Sequence, residues 1–241
     1  MGKNKKNSRG NGRLVINGSI RGDFVNIGDY HASGRVGKKR DPPKPPRKSK
    51  KEKKSGTQKR DPRPFAVFGD SCAVYRRFKI ALDKLKTDDI RWVLENVDFY
   101  GMSGAKFDGL FGLLEKNSAF IKNKRALAIL PALNPIADRG DSVFPPLEPG
   151  RAAEKFESLV SIAKQLCSQT FSFEPFDRTS SVSSDAVEAY RSAIKEKLPS
   201  SLGWPECKMG DDGVHPDVGS YARLCTLLRA KFSGVAEEMD T

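Results

Sequence analysis

Phe65-Ala66-Val67-Phe68 runs directly into Gly69-Asp70-Ser71. A short, unbroken apolar run closed by a turn signal reads as a strand buried on both faces, the kind found at the centre of a parallel sheet. Immediately afterwards Val74, Phe78, Ala81, Leu82 and Leu85 recur at helical spacing. Ser71 is therefore expected between the carboxyl end of a strand and the start of a helix, where α/β folds collect ligands and nucleophiles. Three residues such as Gly-Asp-Ser recur by chance, and a serine there also suits a helix cap. Their weight comes from Asp212-Gly213-Val214-His215-Pro216, which follows Ser71 by 141 to 144 residues at its aspartate and histidine.

Outward from this strand the same texture continues. Val97-Asp98-Phe99-Tyr100 reads as a short strand followed by the turn Gly101-Met102-Ser103-Gly104, and Phe107, Leu110, Phe111 and Leu114 form a helical stripe. Ala126-Leu127-Ala128-Ile129-Leu130 is a second strongly apolar strand. Phe156, Leu159, Val160, Ala163 and Leu166 make an amphipathic helix, and Phe171 and Phe173 alternate as in a strand. Ser183 or Ser184 caps a helix carrying Val187, Tyr190, Ile194 and Leu198. The last helix bears Tyr221, Leu224, Cys225, Leu228 and Phe232. Strands alternating with helices predict an α/β fold, a three-layer sandwich with a central parallel sheet. The roughly 177 residues from Phe65 onward are ample for that core, and no internal repeat suggests a solenoid.

Charge divides the chain. Residues 1–64 hold 20 Lys/Arg against 5 Asp/Glu, a net of +15, whereas residues 65–241 hold 23 against 25, a net of −2. Anionic partners therefore concern the tail before the domain. Residues 1–12 read as disordered and basic. Residues 13–30 contain Leu14-Val15-Ile16-Asn17-Gly18-Ser19-Ile20 and Phe24-Val25-Asn26-Ile27-Gly28, a hairpin-like pattern with Asn17-Gly18 at its turn. Residues 31–63 form a basic Pro/Lys-rich linker, extended by its prolines and by like-charge repulsion. The globular domain is expected over 64–235, with 236–241 a disordered C-terminus.

Within the linker, residues 38–63 carry enough positive charge to bind RNA, DNA or an anionic membrane surface, or to act as a nuclear import signal; they serve equally as a solvated spacer. No aromatic residue is interleaved there, so base stacking is not indicated. No run approaches the roughly 18–20 apolar residues of a membrane span, and no apolar signal segment follows the basic start. Cys72, Cys167, Cys207 and Cys225 are scattered without a C-x-x-C pair. That pattern predicts reduced thiols and no zinc site, in an intracellular protein of the cytoplasm or nucleus; no cofactor is implied.

Four islands stand at strand ends or in loops: Gly69-Asp70-Ser71, Gly101-Met102-Ser103-Gly104, Leu133-Asn134 and Asp212-x-x-His215-Pro216. In this order, with 33 residues from Ser71 to Gly104 and 30 from Gly104 to Asn134, the set resembles the SGNH hydrolase superfamily, also called the GDSL esterase/lipase family. The resemblance spans roughly residues 64–233 and implies a flavodoxin-like sandwich. The chemistry needs these residue types. A serine hydroxyl is a weak nucleophile until a base takes its proton, and His215 is the one histidine of the globular part. Asp212, three residues earlier, suits the orienting acid. For the oxyanion hole the resemblance implies the backbone N–H groups of Ser71 and Gly104 and the side-chain amide of Asn134. The expected activity is that of a serine ester hydrolase, carboxylesterase- or lipase-like, working through an acyl-enzyme on an ester of unread acyl and alcohol parts.

The third island departs from the family's Gly-x-Asn-Asp: Ala132 and Pro135 stand where glycine and aspartate are usual. Pro135 has no N–H and a fixed φ, which puts the aim of Asn134, and hence the rate, in question. Cys72 follows the serine and reads as a small packing residue. Two other functional readings stay open. One is an SGNH-shaped, weakly active or inactive module in a nucleic-acid-associated protein, as in Oskar-type germ-plasm domains or retrotransposon proteins. The other is an effector carried by a self-assembling segment. Val25-Asn26-Ile27-Gly28 resembles the amyloid cores of RIP homotypic interaction motifs and prion-type signalling segments, which stack as cross-β.

Overall fold

The computed structural model describes residues 63–138, 145–177 and 182–240. The disordered stretch expected at 1–12, the hairpin-like segment at 13–30 and, Arg63 apart, the linker at 31–63 lie outside these residues.

The apolar runs become strands β1 (Phe65–Gly69), β2 (Val97–Gly101), β3 (Ala126–Ile129) and β4 (Thr170–Ser172). All pair in parallel in the order β2-β1-β3-β4, with Phe65 opposite both Val97 and Ala126, and Leu127 opposite Thr170. The order explains the sequence. Central strands β1 and β3 are buried throughout and are continuously apolar, while edge strand β2 is only half-buried beyond Val97 and carries Asp98 and Tyr100.

Between the strands run α1 (Tyr75–Leu85), α2 (Asp88–Asn96), α3 (Phe107–Lys116), α4 (Ser118–Ile121), α5 (Pro149–Leu166), α6 (Ser184–Lys197) and α7 (Val218–Asp240). Helices α1, α2 and α7 pack on one another, and α5 packs on α3 and α6, giving a helical layer on each side of the sheet. Aromatic rings lock the first layer to β1: Phe65 stacks on Phe232 with centroids 4.7 Å apart and leans on Trp92 at 5.8 Å. Burial of Phe65 and Phe232 contributes about 1.5–3 kcal/mol of transfer free energy each.

The chain crosses from β1 to β2 on one side of the sheet, then returns past β1 to β3. The strand order therefore reverses between β1 and β3, and a crevice opens at their carboxyl ends. All the sequence islands after strands fall at this end.

Two sequence expectations need correction. The first concerns residues 86–96, where no element was expected and α2 is found. Thr87 caps it, its hydroxyl accepting from the Ile90 N–H at 3.4 Å, with Asp88 and Asp89 in the first turn and Ile90, Val93 and Leu94 buried. The signal was present but short, and it was hidden because α1 ends just before it, at Leu85, with Lys86 as its cap in the left-handed region (φ 53°). The second concerns 236–241, expected to be disordered: α7 continues to Asp240. Val235 is buried and Ala236 packs against the core, so the helix has a reason to persist, and Ala, Glu and Met are strong helix formers. At α6 the alternatives resolve in favour of Ser183, whose hydroxyl accepts from the Ala186 N–H at 3.1 Å.

Candidate active site

The β1 end is built by close backbone approach. A side chain on Gly69 would come within 2.9 Å of the Leu130 carbonyl, and one on Gly101 within 2.5 Å of Ala73 backbone. Glycine at both places lets β1, β2 and the turn after β1 meet. That turn, Ser71–Ala73, is a single 3-10 turn capped by Asp70, whose Oδ1 accepts from the Cys72 N–H at 3.0 Å. Ser71 is thus not the cap. Helix α1 starts at Tyr75 behind Val74, which provides no side-chain cap. Ser71 is nearly buried at 9% exposure, and its hydroxyl lies 2.9 Å from His215 Nε2.

His215 and Asp212 sit in the loop before α7. The local chain makes Asp212 an acceptor: its Oδ1 receives the N–H groups of Val214 and His215, each at 2.9 Å, and its Oδ2 lies 2.7 Å from His215 Nδ1. With Nδ1–H donating to the carboxylate, Nε2 bears the lone pair and accepts from the Ser71 hydroxyl. Gly213 enables the tight turn with φ 61°. Burial pushes the Asp212 carboxyl up, but the hydrogen bonds from the His215 ring and from the His215 and Val214 amides outweigh it. They hold the group well below the usual carboxylate range. The structure therefore joins Ser71, His215 and Asp212, far apart in sequence, in one hydrogen-bonded chain.

Asn134 comes from the carboxyl end of β3. It opens a 3-10 turn, Asn134–Ile136, in which Pro135 lies at the start and its missing N–H costs nothing. Ala132 is fully buried in the core rather than crowding a solvent-facing loop. The Asn134 amide donates to Asp70 Oδ2 at 3.1 Å. One buried carboxylate thus ties the β1 turn to the β3 turn. Gly104 lies in the exposed turn after β2 with φ 71°, and open space surrounds the position of a Cβ there. That loop is fastened to β1 by the Met102 N–H donating to the Gly69 carbonyl at 3.2 Å.

Cys72 is buried at 3% exposure, and burial, then the Asp70 charge, pushes its thiol well up. It packs and does not compete as a nucleophile. Tyr221 of α7 donates its hydroxyl to the Cys72 carbonyl at 3.4 Å, joining the last helix to the serine turn. Among the described residues no group of three or more His, Cys, Asp or Glu could hold a metal ion, and no helix is long and apolar enough to cross a membrane. A cavity of about 410 Å³ lies beside α1 and α2, lined by Arg63, Tyr75, Lys79, Arg91 and neighbours, away from the three joined residues.

Sequence reasoning missed Arg77. Its Nη2 lies 3.0 Å from Nδ1 and 3.2 Å from Nε2 of His215. A donor in the ring plane cannot approach both nitrogens, because the Cε1–H stands between them, and both in-plane directions are already used by Asp212 and Ser71. The guanidinium therefore lies over the ring face. Nothing in the sequence separates Arg77 from the adjacent Arg76 except helical phase.

No family model and no curated protein matches this chain. Solved structures do. A GDSL-like lipase from Parabacteroides merdae is 16% identical with a TM-score of 0.52, over 71% of this chain and 95% of that one. A catalytic mutant of an acetylxylan esterase from Geobacillus stearothermophilus is 16% identical with a TM-score of 0.52, over 70% of this chain and 93% of that one. A carbohydrate esterase family 3 protein from Talaromyces cellulolyticus is 12% identical with a TM-score of 0.50, over 72% and 98%. At these identities the likeness establishes the fold: the domain is built as these lipase and esterase structures are.

Proposed function

We propose that the domain is a serine ester hydrolase. The observation that carries this reading is the hydrogen-bonded chain from Ser71 Oγ through the His215 ring to Asp212, at 2.9 and 2.7 Å. Its position at the strand-order reversal of a fold shared with esterases adds support. Ser71 Oγ attacks the ester carbonyl carbon while its proton passes to His215 Nε2. The carbonyl oxygen becomes an oxyanion, held by the N–H groups of Ser71 and Gly104 and by the Asn134 amide. Collapse breaks the bond to the alkoxy oxygen, which leaves as the alcohol after taking the proton from His215. Water, deprotonated by His215, then attacks the acyl-serine and releases the acid and the serine. Asp212 holds the ring and offsets its transient positive charge, while Asp70 keeps Asn134 aimed despite the altered loop. The neighbours described as acetyl esterases make short-chain acyl esters the first substrates to try.

The test uses the full chain, with a fluorophosphonate probe and p-nitrophenyl acetate, beside Ser71→Ala and His215→Ala. Labelling and turnover in the wild type, lost in both variants, support the reading. A folded wild type that neither labels nor turns over ends it.

The net charge of +15 on residues 1–64 favours a second, compatible reading: residues 38–63 bind RNA or DNA and thereby localise the hydrolase in cytoplasm or nucleus. Binding should then fall steeply with salt and vanish when Lys/Arg of 38–63 are replaced by Ser. Assembly through 13–30 is tested by fibre formation of the full chain against an Ile27→Pro variant.

A further inference from the structure

Arg77 has more donors than the structure uses. Its Nη2 rests on the His215 ring, yet among the described residues Nε and Nη1 donate no hydrogen bond. Among the described residues its one ion pair is with Asp212, whose Oδ2 is 4.0 Å from Nη1 and is already engaged by the His215 ring. The Arg77 side chain is 36% exposed. A cation with unspent donors thus stands over the imidazole, partly open to solvent, in the first turn of α1 and six residues after the serine.

Position determines what it can touch. In ester cleavage the carbonyl oxygen lies toward Asn134 and Gly104, whereas the departing alkoxy oxygen must reach His215 Nε2 to collect its proton. A group over the imidazole face therefore meets the alcohol portion of the substrate. A planar guanidinium with free N–H groups recognises carboxylate or phosphate through charge-assisted hydrogen bonds. We propose that Arg77 is a substrate-contacting cation that makes the Ser71 site prefer esters carrying an anionic group on the alcohol side. This rests on the hydrolase reading and names its substrate class. The carboxylates that oppose such an anion are Asp212 and, beneath the serine turn, Asp70. Both are committed to hydrogen bonds, Asp212 with His215 and Asp70 with Cys72 and Asn134.

The experiment measures kcat/KM of the full chain for three acetyl esters: those of 4-hydroxybenzoate, of 4-hydroxyphenyl phosphate, and of neutral methyl 4-hydroxybenzoate. The readout is the ratio of anionic to neutral ester, which cancels any general damage to the site. Wild type should favour an anionic ester by roughly tenfold at low salt, mostly through KM, and the preference should shrink as salt screens the exposed cation. The larger of the two anionic ratios identifies carboxylate or phosphate as the better fit. Arg77→Met should bring the ratio to one or below, and Arg77→Lys should restore part of it. A wild-type ratio at or below one, or a ratio unchanged in Arg77→Met, overturns the proposal while probe labelling and neutral-ester turnover leave the hydrolase standing. Absence of labelling and of all turnover overturns both together.

Discussion

The two halves of the site are held by different physics. The serine half is part of the core: β1 is buried along its length, Gly69 and Gly101 allow backbones to touch, and Asp70 at 3% exposure binds both the Ser71 turn and Asn134. The histidine half is a surface turn. The Asp212 side chain is 47% exposed and that of His215 13%, and hydrogen bonds spanning two and three residues shape the turn before α7 begins. A serine placed by the sheet cannot drift without unpacking the core. A histidine placed by local hydrogen bonds can be disturbed without any loss of fold. Damage to the packing that places the first half should therefore be read in stability, and damage to the second in activity.

The largest effects test the joint. Ser71→Ala and His215→Ala should each lower kcat by about 10³-fold or more, because residues that act as a unit fail together. Both should melt close to wild type in calorimetry. A large fall in Tm for His215→Ala would break the contrast, since it would make the exposed turn structural.

Asp212→Asn should lower kcat by about 10²–10⁴-fold at pH 7 by favouring the wrong imidazole tautomer, with kcat falling more than KM rises. If the loss is under threefold, the exposed carboxylate is not orienting the base.

Gly101→Ala is the counterpart in the buried half. Its new Cβ meets Ala73 and Val74 backbone within 2.7 Å, which no rotamer relieves. Overpacking of this kind costs about 1–3 kcal/mol, read as a lower urea midpoint, and Ser71 should be misplaced at the same time. A midpoint equal to wild type would show that the β1–β2 end is softer than described.

The smallest effect is acidic and sharpens the same contrast. Asp212 is held below the usual carboxylate range in the folded protein, so the unfolded chain binds more protons on acidification. Its contribution is complete above about pH 4, the ordinary carboxyl range, and is lost as pH falls through the lower folded value. Asp212→Asn lacks this group, so its Tm should fall less than wild type's between about pH 5 and pH 2. The difference is small because the group is half-exposed, and parallel curves would deny the hydrogen bonds their role.

How much of this was legible follows the length of the signals. Strands β1, β2 and β3 announced themselves as short apolar runs and β4 by the alternation of Phe171 and Phe173, while α1, α3, α5, α6 and α7 showed as stripes. Helix α2 was missed because nine residues leave room for few apolar positions and Lys86 separates it from α1 by only a sharp turn. The end of α7 was missed because its last turns expose polar residues and rest on Val235 and Ala236. Ser71, Gly104, Asn134, Asp212 and His215 were legible as motif islands. Arg77 was not, because an arginine in a basic helical stretch carries no mark of what lies over it. The bond from Asn134 to Asp70 was equally hidden, since 64 residues separate the partners.

By itself, then, the sequence determined the alternation of strands and helices, the split between basic tail and near-neutral domain, and the candidate site residues. These are local matters of periodicity, composition and turn chemistry, which short-range sterics and burial dictate. Only the tertiary structure decided that Ser71 and His215 meet across 144 residues, that Asp70 anchors Asn134, and that Arg77 covers the imidazole. Those contacts are set by strand order, helix phase and the angle at which α7 returns. They depend on how whole elements pack together, and no short stretch of the chain encodes them.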